Sequence, residues 1–254
     1  MEIKVLGAHG SRFKNMKSTC LRISENTLID AGNIIESLGR ESLKIDNILL
    51  THAHLDHIID IAFLIDYTFK ERTKPLNIYG SKETIEALRN HIMNWDIWPE
   101  FSSIKLSKTS DYAINYIEIS EGTSFHVDGL EIYTYESNHT VKTLSYIIYS
   151  GGKGVIITGD TYKNRSTWET INMDDRIKAV ITDVSFPSYM ENLALLSKHN
   201  TPETLKEDMS ILKRKDVIIF AMHLKPFCYD EVRTDIEKRL PHVKVLKDGD
   251  SIRL

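Results

Sequence analysis

Apolar and polar positions fall into two periods along this chain. Ile3 to Leu6 is a short apolar block that predicts a first strand, closed by the glycine turn Gly7-Ala8-His9-Gly10-Ser11. Thr19 to Ile23 and Thr27 to Asp30 alternate or run apolar and predict two more strands. Ile34 to Leu38 reads as a short helix stopped by Gly39. Ile45 to Leu50 predicts a buried strand, and Ile58 to Phe69 is apolar at helical spacing. Leu76 to Gly80 is a further strand, followed by Ser81 as N-cap of a helix from Lys82 to about Ile92. The second half repeats the theme, with strands at Ile114 to Ile119, Ser124 to Val127 and Leu130 to Tyr135. Leu144 to Tyr149 and Gly154 to Thr158 flank Ser150-Gly151-Gly152-Lys153, a hairpin signal. Strands at Ala179 to Val184, Val217 to Phe220, Val243 to Leu246 and Ser251 to Leu254 alternate with helices at Thr167 to Asn172, Pro202 to Leu212 and Tyr229 to Leu240. No linker or low-complexity run interrupts the order. Many antiparallel strands with helices inserted in each half predict an α+β sandwich of two sheets with helices outside, in a single domain over residues 1–254.

Composition narrows the class. Of 254 residues, 41% are hydrophobic and 27% charged, ordinary for a globular chain. The formal charge of −4 gives no reason to expect nucleic acid or an anionic membrane as a partner. Cys20 and Cys228 are the only cysteines and lie far apart, which points to a reducing compartment and away from a disulfide framework. The start, Met1 to Leu6, is a strand pattern without a signal-peptide core, and no apolar run is long enough to span a bilayer. The expected location is the cytoplasm.

The chemistry concentrates in Thr51-His52-Ala53-His54-Leu55-Asp56-His57. Neutral imidazole and carboxylate are ligands for zinc-type metals. His52 and His54 are two apart, so at a strand end they point the same way. Asp56 and His57 follow past the turn and point elsewhere, so one short loop could serve two ions. Three further residues sit at predicted strand ends: His139, Asp160 in Thr158-Gly159-Asp160-Thr161, and His223 in Met222-His223-Leu224-Lys225-Pro226. His199 begins His199-Asn200-Thr201-Pro202, just before a helix with Thr201 as N-cap and Pro202 at its first position. It reads either as a surface histidine near a cap or as a donor to a leaving oxygen. The aromatic stretch Asn94 to Phe101 reads either as a loop packed on the body or as a pocket wall or dimer contact. His9, His91, His126 and His242 have no comparable setting.

The histidine-rich loop, a later His, a Gly-Asp and a late His resemble the ligand series of the metallo-β-lactamase fold over essentially the whole chain. Within that fold, His52 to Ile58, Leu76 to Gly80, Asn94 to Phe101, Val184-Ser185-Phe186-Pro187, His199 to Pro202 and Met222 to Pro226 are similar to class II cyclic-nucleotide phosphodiesterases. Asp60 departs from that family's usual Gly or Ser, and Asp183 from its usual Glu. The resemblance implies an αββα four-layer sandwich, with His52, His54 and His139 on one metal, Asp56, His57 and His223 on a second, and Asp160 bridging. Two divalent ions are implied, zinc first and manganese or iron as alternatives. They would lie about 3.5–4 Å apart and activate a hydroxide for attack on phosphorus. Asp56 would orient the nucleophile or take its proton. His199, oriented by Asp183, would serve the leaving 3′-oxygen or clamp the phosphate. The expected activity is hydrolysis of cyclic AMP or cyclic GMP to the 5′-monophosphate, in a homodimer suggested by the resemblance and by the Trp95/Trp98 segment. The competing expectation is a nuclease resembling the tRNA 3′-processing enzymes, which the acidic balance of this chain disfavours.

Overall fold

Strands β1 (Glu2–Gly7), β2 (Cys20–Arg22), β3 (Thr27–Ile29), β4 (Asn47–Leu49), β5 (Leu76–Gly80) and β6 (Ile114–Glu118) belong to the first of two sheets in the computed structural model, which describes residues 1–254. The second sheet holds β7 (Ser124–Val127), β8 (Leu130–Ser137), β9 (Thr143–Ser150), β10 (Lys153–Ile157), β11 (Ile177–Asp183), β12 (Ile218–Met222) and β13 (Val243–Val245). The last strand, β14 (Ser251–Arg253), returns to pair with β1, so the first sheet also has seven strands, ordered β14-β1-β2-β3-β4-β5-β6. The second runs β13-β12-β11-β10-β9-β8-β7.

The many antiparallel strands that the sequence predicts account for half of the strand pairs, and the other half are parallel. In the first sheet β14-β1-β2-β3 are antiparallel and β3-β4-β5-β6 parallel. In the second, β7-β8-β9-β10 are antiparallel and β10-β11-β12-β13 parallel. The helices between strands are the reason: a parallel pair needs a crossover long enough to return the chain, and each helical insertion supplies one.

Side chains alternate between the two faces of each strand. Ile3 and Val5 of β1, Ile132 of β8, Val155 and Ile157 of β10, and Ala179 and Ile181 of β11 meet in one core between the sheets. Ile48 of β4 and Ile78 of β5 face outward and pack on α2 (Leu55–Ile58), α3 (Asp60–Thr68) and α4 (Lys82–His91), which follow the short α1 (Ile35–Leu38). Ile156 and Val180 pack on α5 (Arg165–Met173), α7 (Pro202–Asp208) and α8 (Tyr229–Arg239), with α6 (Glu191–Ser197) alongside. The result is four layers, αββα, in the α+β class. Ser81 caps α4 by accepting from the Thr84 amide, and Thr201 with Thr204 forms a capping box on α7 behind Pro202. Helix α6 was not legible, because Leu193, Leu195 and Leu196 point to solvent and leave no amphipathic stripe. The Asn94 to Phe101 stretch divides: Phe101 is buried, Trp98 packs edge-on against Phe63 at 5.6 Å, and Trp95 and Ile97 stay 64% exposed. No helix is long and apolar enough to cross a membrane.

Candidate metal centre

The strand ends of both sheets deliver the polar residues to one place. After β4, the chain turns so tightly that the His54 carbonyl accepts from the His57 amide at 2.9 Å, and α2 starts at Leu55. Asp56 and His57 therefore lie in the single turn of a helix, where the sequence pattern predicts a tight turn just ahead of one. His139 follows β8, Asp160 follows β10, Asp183 ends β11, His199 precedes α7, and His223 follows β12. Gly159 before Asp160 has φ +62°, and a Cβ there would stand 2.9 Å from the Thr51 Cβ, so only glycine fits.

Two donor sets adjoin. Ligand atoms of His52, His54, His139 and Asp160 all lie within 4.8 Å of one another, as do those of Asp56, His57 and His223. One oxygen, Asp160 Oδ2, stands 3.7 Å from His52 Nε2, 3.9 Å from His139 Nε2, 3.4 Å from His57 Nε2 and 3.3 Å from His223 Nε2. His54 Nδ1 is 3.2 Å from His139 Nε2. Nitrogens bound about 2.0–2.1 Å from one tetrahedral ion stand roughly 3.3–3.4 Å apart, so these spacings suit metal ligands. His52 Nε2 is buried and has no hydrogen-bond partner, which a metal would remedy. The donor chemistry and the spacing fit two divalent ions. A further grouping of Asp160, Asp183, His199 and His223 shares two members with these sets. Its other two, Asp183 and His199, are already bonded to each other.

Four histidines have their outer nitrogen fixed, which aims Nε2 at the centre. His57 Nδ1 donates to Asp30 Oδ2 at 2.7 Å. His52 Nδ1 donates to the Thr51 hydroxyl at 3.0 Å, which itself donates to Asp30 Oδ2 at 2.9 Å. His139 Nδ1 donates to the Lys198 carbonyl at 3.0 Å. His223 Nδ1 donates to the Ser185 hydroxyl at 3.0 Å, and Ser185 donates to Asp183 Oδ1 at 2.6 Å. Asp183 Oδ2 accepts from His199 Nδ1 at 2.7 Å. Asp30 and Asp183 thus play parallel parts, each holding one histidine directly and a second through a hydroxyl. Sequence reading gave no role to Asp30, Thr51, Ser185 or Lys198. The signal was there for Thr51, adjacent to His52, and for Asp30, a buried acid closing an apolar strand.

Asp30 and His223 are non-glycine residues at φ +58° and +69°. That strain is held by their hydrogen bonds, including His223 N–H to the Ala8 carbonyl at 2.7 Å. Burial disfavours a charge on His52 and holds its pKa well below the usual imidazole value. Burial likewise lowers His54, and His139 to about 4. For His57 burial acts the same way, but Asp160 and Asp30 overcome it and the pKa is raised. His223 is also raised, burial being outweighed chiefly by Asp160. Asp160 stays ionised despite burial because His223, His57 and His52 surround it. His54 and Asp56 are only half-buried, so the centre opens to solvent on their side.

Known proteins place the fold in context. The metallo-β-lactamase-fold protein YhfI from Bacillus subtilis is similar with a TM-score of 0.77 and 18% identity, covering 99% of this chain and 98% of that one. A ribonuclease Z from Methanococcus maripaludis is 39% identical over 109 residues, 41% of this chain and 32% of its own length. A probable 3′,5′-cyclic-nucleotide phosphodiesterase from Yersinia pestis is 25% identical over 203 residues, 72% of this chain and 57% of its own length. The chain thus spans about a third to about a half of these curated relatives. The fold is that of the metallo-β-lactamase-fold hydrolases. The family model described as Anti-Pycsar protein Apyc1 matches residues 1–219, and the chain belongs to that family.

Proposed function

We propose that this chain is a metal-dependent phosphodiesterase whose substrate is a 3′,5′-cyclic nucleotide, cyclic AMP or cyclic GMP, cleaved to the 5′-monophosphate. The observation that carries the reading is Asp160 Oδ2, within 3.9 Å of four histidine nitrogens drawn from both donor sets. His52, His54 and His139 would hold one ion, Asp56, His57 and His223 the other, and Asp160 both. Two divalent ions there, zinc first, with manganese or iron as alternatives, would supply an activated water and neutralise charge on the phosphoryl oxygens. Asp30 and Thr51 keep His57 and His52 in the tautomer that leaves Nε2 free, and Ser185 does the same for His223. Half-buried Asp56 faces solvent and is placed to orient an entering water or take its proton. Asp183 holds His199 by Nδ1, which leaves the other ring nitrogen, Nε2, to serve a leaving alkoxide. Residues 1–254 act as one folding unit in this reading, since a single core runs between the sheets. Exposed Trp95 and Ile97 support a homodimer.

A ribonuclease Z-type nuclease is the second reading, favoured by the 39% identity over 109 residues to the Methanococcus protein. The longer match to the Yersinia phosphodiesterase and the formal charge of −4 favour the cyclic nucleotide. Purified protein with defined metals, offered cyclic AMP, cyclic GMP, a 2′,3′-cyclic nucleotide, bis-p-nitrophenyl phosphate and a precursor tRNA, separates the two. Faster cutting of precursor tRNA than of any cyclic nucleotide would reverse the choice.

A further inference from the structure

On the open side of the centre, next to Asp56, lies a cavity of about 420 Å³ lined by Gly10, Ser11, Arg12, Ser18, Leu55, Asp56, Ile59 and Lys225. That volume falls in the range of small-molecule sites, roughly 300–1,000 Å³. Its walls differ in character: Leu55 and Ile59 are aliphatic, and Ser11 and Ser18 offer hydroxyls.

Two cations border it, and they are not equivalent. The Arg12 guanidinium gives its Nη2 to Asp60 Oδ1 at 2.6 Å and to the Gly32 carbonyl, so its charge is paired with a buried carboxylate, although Nε and Nη1 keep their donors. Lys225 donates one hydrogen bond, to the Gly10 carbonyl at 2.9 Å, and its Nζ stands 3.9 Å from Asp56 Oδ2. An ammonium has three donors, so two remain for a ligand. The Gly10 contact also fixes where the ammonium stands. A Cβ on Gly10 would come within 2.7 Å of the His223 ring and carbonyl, so only glycine lets this loop lie against the metal-side histidine. By contrast, in the opening between Met1, Lys4, Arg22, Glu25, Glu41 and Lys44, two cations are turned on its own acids, Arg22 on Glu41 and Lys44 on Glu25 and Glu41.

We propose that Lys225 binds a phosphoryl oxygen of the substrate at the Asp56 end of the centre, and that the adjoining cavity receives the nucleoside. Lys225 is a compact positive charge with free donors, a few ångströms from where a phosphate would meet the ligands, and it is pinned by a backbone carbonyl so that little side-chain freedom is lost on binding. The inference rests on the phosphodiesterase reading and adds the group that recognises the anion and the surface that recognises its organic part.

The test uses metal-loaded protein and reads binding apart from turnover. Inorganic phosphate and 5′-AMP are titrated calorimetrically into wild type, Lys225→Gln and Lys225→Arg, after elemental analysis of each. Gln keeps a donor for the Gly10 carbonyl and removes the charge. The expected result is a Kd for both ligands raised roughly ten- to hundredfold in Lys225→Gln, the size of one charge-assisted hydrogen bond, with metal content unchanged and Lys225→Arg recovering most of the loss. In wild type 5′-AMP binds more tightly than phosphate, and Leu55→Ser weakens 5′-AMP while leaving phosphate alone. Phosphate affinity within twofold of wild type in fully metallated Lys225→Gln overturns the proposal. So does loss of metal in that variant, which would make Lys225 a support for Asp56. Wild type that binds phosphate through Lys225 but cleaves no cyclic nucleotide leaves the subsite standing and removes the substrate assignment.

Discussion

Asp183 and His199 form a buried pair, with Oδ2 accepting from Nδ1 at 2.7 Å while Oδ1 accepts from the Ser185 hydroxyl at 2.6 Å. Asp183 stays ionised despite its burial, because His199 and His223 face it. The pair stands beside the donor sets, with the His199 and His223 rings stacked 5.2 Å apart. In the proposed reading the pair would move a proton at the centre without taking up a metal position.

His199→Ala should lower kcat for cyclic AMP by roughly 10²–10⁴, the usual worth of general-acid help, with metal content unchanged. A p-nitrophenyl phosphodiester leaves as a stabilised anion and needs less protonation, so its kcat should fall much less. Equal losses on both substrates would return His199 to a phosphate clamp or a structural part.

Asp160→Ala should compromise both ions, and His54→Ala should remove one preferentially. Elemental analysis of wild type prepared without chelator should give close to two ions per chain. A value near zero under metal-replete conditions would sink the dinuclear reading.

Asp30→Ala should weaken metal binding by about 10–100-fold, since it frees the outer nitrogen of His57 and unties Thr51 from His52. Asp30→Asn keeps an acceptor and should lose less. Competitive chelator titration measures both, and an unchanged affinity in Asp30→Ala would mean that packing alone orients the two rings.

The parts legible in the sequence were those with a period or a motif. Apolar alternation placed the strands, because each buries a face in the central core or under the helices. The seven proposed ligands were legible because strand-end turns leave a local pattern of His and Asp. What surrounds them was not. Asp30 and Thr51 are 21 residues apart, and Ser185 and His223 are 38 apart. No local rule joins residues so distant, and only the folded strand order brings them together. Asp183 and His199 were legible through resemblance to a family, and their spacing carries no periodic signal. Parallel pairing was missed for a related reason: a strand's own pattern does not reveal the direction of its neighbour.

The protonation of the centre gives a further expectation, with its sign fixed by the shifts. A histidine must be neutral at the nitrogen that binds metal, so any proton held there is released on loading. His52, His54 and His139 have lowered pKa values, His139 about 4, and are already neutral near pH 7. His57 and His223 are raised above the ordinary imidazole value and keep protons in the metal-free protein. Their Nε2 atoms are 3.3 Å apart, close enough to share one proton, so one to two protons should leave per chain at neutral pH. Metal affinity should then fall as pH drops, and proton release should vanish above the raised values. Stability of the metal-free fold runs the other way. The contribution of these two raised groups is complete below the unfolded imidazole value near 6.5 and is lost as pH rises through the folded values. Calorimetric zinc titrations in two buffers of different ionisation enthalpy measure the released protons directly. Heats that are the same in both buffers at pH 6.5–7 would show that His57 and His223 are neutral before metal arrives.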